Sequence, residues 1–481
     1  MILAIDQGTT GTTTALYDKN ARLIKKAYRP IRQIYPKPGW VEHDPMDIWQ
    51  SVVGTVEEIL PDFSTEIVAV GITNQRETTV IWDKISGRPI HNAIVWQCRR
   101  TADICNDLRR HEYLFRLHTG LPLDPYFSGT KIKWLLENTK NFQQKNLLFG
   151  TIDTWLIWKL TGGRVHATDF TNASRTLLFN IRDMHWDDDL LDLLSIPASL
   201  LPEVKYSADN YGKIETIPAL KGIQISGVAG DQQAALFGQK CFRKGQIKNT
   251  YGTGCFLVLN TGADLVQSEH GLLTTLAVGH DCKPCYALEG SIFIAGAAIQ
   301  WLRDELRILS TAAESEALAR EIESNGGVYF VPAFVGLGAP HWDPVARGTI
   351  VGLTRGSNRC HLARAALEAM AYQTYDVLSG MQDEAKIKIN SLAVDGGATE
   401  NKFLMQFQSD LLDIPIIKPR MAELTSLGAA YLAGIKSGFW ENTNEFDSFN
   451  QDQDKFNPKM QDDERHLLLA GWRKALQQAR L

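Results

Sequence analysis

Three short glycine-rich turns stand where they could meet phosphate oxygens. Asp6-Gln7-Gly8-Thr9-Thr10-Gly11, Tyr251-Gly252-Thr253-Gly254 and Asp395-Gly396-Gly397-Ala398 each follow an apolar stretch that reads as a strand. Small residues let backbone N–H groups approach an anion, and threonine hydroxyls add donors. Asp6, at the end of its strand, is a carboxylate of the kind Mg²⁺ takes, directly or through water. Taken alone, each turn also fits an ordinary hairpin or strand–helix connection. Three at strand ends in one chain weigh toward phosphate. The common nucleotide signatures, G-x-x-x-x-G-K-[ST] and a strand-linked G-x-G-x-x-G, do not occur in the sequence.

Two further constellations carry chemistry. Asn74-Gln75-Arg76-Glu77-Thr78 follows an apolar run ending near Thr73. Arg76 beside Glu77 is either a surface ion pair of little worth or a desolvated pair whose free edges grip hydroxyls. Trp96, at the end of the next apolar segment, offers an aromatic face to the C–H surface of the same ligand. Gly230-Asp231-Gln232-Gln233 follows the apolar Ser226–Ala229 run and opens a short helix. Asp231 reads either as that helix's N-cap or as a carboxylate that accepts a hydroxyl proton.

These residues need strands and helices to hold them. Met1–Ile5 and Thr12–Tyr17 read as a hairpin about the first turn, with Gly8 and Gly11 supplying backbone freedom. Gln246–Thr250 and Cys255–Asn260 repeat that pattern half a chain later, which predicts two domains of similar construction. A helix is expected over 45–60, capped by Asp44, opened by Pro45, stopped by Pro61, with Trp49, Val52, Val53, Val56 and Ile59 as its buried stripe. Glu66–Thr73 reads as a strand, Thr78–Trp82 and Ile90–Trp96 as a hairpin pair. Leu362–Leu378 and Asn401–Leu412 read as helices flanking a buried strand at Leu392–Val394. The class is α/β with mixed sheets, and the boundary between domains falls near Gln239–Gly245.

A chain of 481 residues exceeds what one core supports. A net charge of −5 without long runs points to neither a nucleic acid nor an anionic membrane partner. No apolar stretch approaches the ~18 residues of a membrane span, and Met1–Asp6 lacks the basic start of a signal peptide, so the cytoplasm is expected. The seven cysteines are no disulfide framework. Cys282-Lys283-Pro284-Cys285 has no second ligand pair, so it reads as two reduced thiols in a turn rather than a zinc site.

In order along nearly the whole chain, several segments resemble the FGGY carbohydrate kinases, and within that family the branch acting on glycerol. They are Asp6–Thr10, Tyr35–Pro45, Ile72–Thr78, Trp96–Arg100, Asp124–Ser128, Gly230–Gln233, Asn249–Gly254 and Asp395–Ala398. The long segments around Trp40, Arg76 and Trp96 are far more specific than the glycine turns. The resemblance implies two ribonuclease H-like lobes of the actin/hexokinase ATPase type, with the active site in the cleft. Residues 1–240 would form the lobe with the acceptor site, phosphate turn and base, and 241–481 the lobe binding the adenine nucleotide. It implies ATP-dependent phosphorylation of glycerol to sn-glycerol 3-phosphate with ADP as the other product, with Mg²⁺, in a cytoplasmic homo-oligomer, dimer or tetramer. Arg76, Glu77, Tyr126 and Asp231 would hydrogen-bond glycerol with Gln232 nearby, and Trp96 and Phe256 would pack on its carbons. Asp231 would be the catalytic base. Thr9, Thr10, Gly11, Thr253, Gly296, Gln300, Gly397 and Asn401 would contact the nucleotide, and Asp6 the metal. Two departures stand out. Gly11-Thr12-Thr13 replaces a pattern ending in arginine, which shifts phosphate binding toward Mg²⁺ and threonine hydroxyls. Ile217–Ile225 lacks the basic loop through which some relatives bind fructose 1,6-bisphosphate, so no strong inhibition by that sugar phosphate is expected.

Overall fold

The apolar opening residues form the middle strand of a five-stranded sheet. Its strands are β1 (Ile2–Gln7), β2 (Gly11–Tyr17), β3 (Leu23–Pro30), β4 (Ala69–Asn74) and β5 (Gln224–Gly230), in the order β5-β4-β1-β2-β3. β2 runs antiparallel to β1 and β3, whereas β4 and β5 run parallel to β1. The computed structural model describes residues 1–63, 66–140, 142–269, 271–343, 345–421, 423–449 and 452–480. The chain divides into two units. The first holds 1–242, 274–286 and 423–450, the second 243–273, 287–422 and 451–481.

In the first unit, register sets the site. Gln7 and Gly230 both lie opposite Asn74, so the carboxyl ends of β1, β4 and β5 are level. One face of the sheet packs on the helix Pro45–Ile59 through Ile48, Val52 and Val56, all buried against Leu3, Leu16 and Val70. Asp44 caps that helix by accepting from Met46 N at 2.8 Å. Alternate threonines of β2 staple it: Thr12 bonds Ser51 and Thr14 bonds Thr55, each at 2.7 Å. Val53 of the expected stripe is only half-buried, and the chain runs on through a 3₁₀ turn, Leu60–Asp62, instead of stopping at Pro61. The helix Leu424–Lys436 covers β1, β4 and β5 and also packs on the helix Asp231–Gly238. It lies so close that a Cβ on Gly71 would stand 2.3 Å from Ala429 O, and one on Gly227 2.5 Å from Ala433 N.

Three local expectations are corrected. Val80–Asp83 pairs chiefly with Leu147–Gly150, and Ala93–Ile94 with Glu42–His43; only single bridges link the two segments expected as a hairpin pair. Pro89, opposite Trp82, has no N–H with which to extend that ladder. The strand expected from Glu66 begins at Ala69. Gly8 and Gly11 close the turn with Gly8 N donating to Gly11 O at 2.9 Å, yet neither has positive φ. Gly11 is required sterically, since a Cβ there would meet Arg29 O at 2.5 Å.

The second unit repeats the plan. β6 (Ile247–Tyr251), β7 (Cys255–Gly262), β8 (Pro284–Ile292, of which 287–292 belong to this unit), β9 (Leu392–Asp395) and β10 (Ile416–Pro419) run in the order β8-β7-β6-β9-β10 within a longer sheet. β6 is antiparallel to β7 and parallel to β9, as β1 is to β2 and β4. The long helix Arg359–Ala385 packs its alanine-rich face into this unit's core beside Tyr251, Leu257 and Trp472.

Candidate active site

Asp6, Arg76, Glu77 and Asp231 leave from the level strand ends of the first unit, the end at which ligands meet parallel strands. Arg76 Nε lies 3.2 Å from Asp231 Oδ1 and 3.9 Å from Glu77 Oε1. Its Nη1 donates to Gln233 Oε1 at 3.3 Å. Arg76 and Glu77 side chains are 2% exposed while Asp231 is 28% exposed, so the Arg76–Glu77 pair is desolvated and the Asp231 carboxylate reaches solvent. Gly230 leaves space for this: a Cβ there would lie 2.8 Å from Arg76 Cγ and Cδ.

The tight partner of Glu77 is Arg175, whose Nε donates at 2.6 Å from a fully buried position. Sequence spacing did not single out Arg175. Its signal is that of the one charged residue in the run Phe170–Ile181. Glu77 has φ +60°, a left-handed conformation that costs a non-glycine residue about 1–3 kcal/mol. Its carbonyl is held there by Thr79 Oγ1 and Ser128 Oγ, each donating at 3.0 Å, and by Lys131 Nζ at 3.5 Å. Lys131 also donates to the carbonyls of Tyr126 and Phe127. Burial pushes its ammonium down to about 8, against the opposing pull of Glu77.

Aromatic rings flank the charges. Trp96 and Tyr126 meet edge to face at 5.6 Å, and the Arg175 guanidinium lies over Tyr126 at 5.7 Å. Trp96 Nε1 donates to Thr9 Oγ1 at 2.9 Å, which joins the aromatic pair to the first glycine turn. That turn is held from beneath. Gln33 Nε2 donates to Thr9 O at 2.9 Å, and Gln75 Nε2 donates to Gly8 O at 3.2 Å. His43 bridges the two glutamines at 2.9 and 3.4 Å. Because Gln33 spends its amide N–H on Thr9, its oxygen faces His43 Nε2, which therefore carries the proton. Burial pushes His43 down to about 4 and keeps it neutral.

Asp231 does not take the N-cap position. Gly230 is the N-cap of the helix Asp231–Gly238, no side chain caps it, and Asp231 is its first residue, accepting from Gln232 N at 2.7 Å. The helix-cap reading is thereby set aside, and the carboxylate is held by Arg76 instead. Gln232 is buried beside it. Asp6 is pushed up to about 8, first by burial and then by the charges of Asp231 and Glu423. Among the described residues no group of three or more His, Cys, Asp or Glu side chains is placed to hold a metal ion. Mg²⁺ bound through one or two carboxylates and substrate phosphates needs no such group, so Asp6 fits it.

The remaining expected residues lie in the second unit. Ala295 N and Ala297 N donate to Thr253 O at 2.8 and 3.1 Å, and Gly296 N to Gly252 O at 3.1 Å, so the second glycine turn is pinned to the start of the helix Gly296–Asp304. Thr253 and Gln300 are exposed, and Phe256 is half-buried on β7. Gly396 has φ +94°, and a Cβ on it would meet Tyr251 O at 2.1 Å, which brings the third turn against the end of β6. Gly397 opens a 3₁₀ turn after it, and Asn401 caps the helix Lys402–Leu412 by accepting from Leu404 N at 3.0 Å. All seven cysteines are free thiols, Cys282 and Cys285 included.

Residues 1–238 match the N-terminal domain of the FGGY family of carbohydrate kinases, and residues 247–437 its C-terminal domain. Relatives named glycerol kinase from Symbiobacterium thermophilum and Carboxydothermus hydrogenoformans are 56% and 55% identical, each covering 100% of this chain and 98% of the relative. The crystal structure of Plasmodium falciparum glycerol kinase with ADP superposes with a TM-score of 0.94 at 37% identity, over 100% of this chain and 98% of that one. The fold is the two-domain α/β fold of the actin/hexokinase type of ATPase, the enzyme is a phosphotransferase, and the chain belongs to the FGGY family of carbohydrate kinases.

Proposed function

We propose that this chain transfers the γ-phosphoryl group of ATP to a terminal hydroxyl of glycerol, giving sn-glycerol 3-phosphate and ADP, with Asp231 as the general base. The observation that carries the reading is the Arg76–Asp231 pair, backed by Glu77 and Arg175, at the level ends of β1, β4 and β5. Two carboxylates and two guanidinium groups beside two aromatic rings suit a small molecule that is all hydroxyls on one side and C–H on the other. The full-length similarity to proteins named glycerol kinase supports the choice of glycerol over other polyols.

Arg76, Glu77, Tyr126 and Gln232 orient the triol, and Trp96 covers its carbons. Asp231 accepts the proton as the hydroxyl oxygen bonds to phosphorus and the bond from phosphorus to the ADP oxygen breaks. Thr9, Thr10 and Gly11 in the first unit are assigned to phosphate. Thr253, Gly296, Gln300, Gly397 and Asn401 in the second are assigned to the nucleotide, which makes the two units acceptor and nucleotide domains. Asp6 would hold Mg²⁺, which when bound neutralises phosphate charge. The reaction is placed in the cytoplasm, where ATP is; no helix among the described residues is long and apolar enough to cross a membrane.

The test is product identification after incubation with Mg-ATP and a panel of glycerol, tetritols, pentuloses and sugar acids. Glycerol is expected to give sn-glycerol 3-phosphate and the highest kcat/KM. A site that pairs hydroxyls discriminates by up to ~10⁴-fold, so faster turnover of another acceptor would overturn the glycerol reading.

A further inference from the structure

The two strand ends that carry Arg76 and Asp231 are tied to one buried carboxylate that takes no part in the reaction. Asp169, at the end of the short strand Ala167–Asp169, is wholly inaccessible. It accepts from Thr171 N and Oγ1 at 3.0 and 2.7 Å, from Asn172 N and Nδ2 at 3.0 and 2.9 Å, and from Ser207 Oγ at 2.7 Å. Two arms leave this hub. Thr171 Oγ1 has committed its proton to Asp169, so it presents a lone pair, and Gly230 N donates to it at 2.9 Å. Gly230 immediately precedes Asp231. Asn172 exchanges a reciprocal pair of amide hydrogen bonds with Asn74 at 3.0 and 3.1 Å, and Asn74 also donates to Gln75 O at 3.0 Å. Gln75 immediately precedes Arg76. Asn74, Thr171 and Asn172 are all buried, so no water competes for these bonds.

We propose that Asp169 is a positioning residue for phosphoryl transfer, setting Asp231 through Thr171 and the Arg76–Glu77 clamp through Asn172. This rests on the base and acceptor roles assigned above. A carboxylate fed by five donors cannot reorient without breaking several of them, and the fixed polarity of the threonine hydroxyl transmits its position to the backbone N–H before the base. Two side chains that must grip and deprotonate one hydroxyl are thereby referenced to a single buried point. Misplacement of a reacting group by about 1 Å costs up to about 10²-fold in rate.

The arms separate kinetically. Thr171→Val removes the hydroxyl at equal volume and is expected to lower kcat about 10-fold with acceptor KM changed less than about twofold, while Thr171→Ser, which keeps the hydroxyl, restores the rate. Asn172→Ala is expected to raise acceptor KM about 10-fold with a smaller effect on kcat. A role in stability alone would lower apparent kcat through the active fraction and leave acceptor KM unchanged in both variants. The kcat is therefore taken per titrated active site, and a loss per active site in Thr171→Val with a raised KM in Asn172→Ala marks positioning. Unchanged kinetics in folded Thr171→Val, or equal losses in the Val and Ser variants, would overturn the proposal. Should Thr171→Val not fold, an unchanged acceptor KM in Asn172→Ala overturns it. A crystal structure of either variant reads the Arg76 Nε to Asp231 Oδ1 distance, 3.2 Å here, whatever the acceptor proves to be. If the wild-type chain prefers another polyol, the glycerol reading fails while this distance still tests the positioning; a retained distance refutes the positioning alone.

Discussion

Asp231 is held by Arg76 on one side and reaches solvent on the other, which suits a base that must meet a hydroxyl arriving from outside. Asp231→Asn is expected to keep the fold and nucleotide binding and to lower kcat by at least ~10²-fold, the usual size of a general-base effect. Single-turnover measurement with Mg-ATP checks this, and near-normal turnover would remove Asp231 from the chemistry. For Arg76→Ala the structure changes the reason for the expected effect. Glu77 keeps its 2.6 Å partner Arg175, so the group left without its neighbour is Asp231. The expected outcome is therefore a fall in kcat together with a rise in glycerol KM, read from steady-state kinetics over both substrates. The neighbours Arg76 and Glu77 were legible as either a surface ion pair or a desolvated one because both charges sit in one short motif, and their burial decides for the desolvated pair. Their true partners were not, because Asp231 and Arg175 lie about 150 and 100 residues further along and only the fold brings them together.

At the scale of elements, the helix Leu424–Lys436 sets how accurately the helix beginning with Asp231 is held. Gly428 lies against that helix, and a Cβ on it would stand 1.9 Å from Ala234 O, a backbone atom that cannot step aside. Gly428→Ala is expected to destabilise by about 1–3 kcal/mol, the range for overpacked cores, and to lower activity in the same variant. Thermal denaturation beside an activity assay checks both, and an unchanged melting temperature would mean the helices slide apart freely. The strands and helices with strong patterns were readable: the capped helix after Asp44, the two threonine-bearing hairpins and the helix ending at Leu412. The hairpin expected at 78–96 forms only in part, through bridges at Thr79–Ile94 and Trp82–Pro89, and for a local cause. Its two halves are apolar enough to be strands, but Pro89 interrupts the ladder and each half pairs with a segment that no short-range pattern could name.

Across the whole molecule, buried ionisable groups set the response to pH. His43 has a folded-state pKa of about 4 against an ordinary value of 6.5, so between those values the unfolded chain binds a proton that the folded chain does not. Stability then rises with pH through this window and is lost as pH falls from 6.5 toward 4. The His43 contribution between pH 7 and 5 is about 2 kcal/mol. His43→Gln, which cannot titrate, is expected to show a smaller drop in its urea midpoint between pH 7 and 5 than the wild-type chain. An identical drop would mean that His43 is protonated in the folded state. The likeness of the two halves was visible as a repeated glycine–threonine hairpin and reappears as the shared order of β3-β2-β1-β4-β5 and β8-β7-β6-β9-β10. What the linear pattern concealed is that the first unit is completed by residues 423–449. A ribosome that has made residues 1–242 must still make about 180 more before it reaches the helix Leu424–Lys436. Until then the flat glycine strip of β4 and β5 has no cover. A chain cut short before Leu424 would carry every residue proposed for the chemistry and still lack the helix packed against the one that begins with Asp231, so that helix must be made before the first turnover.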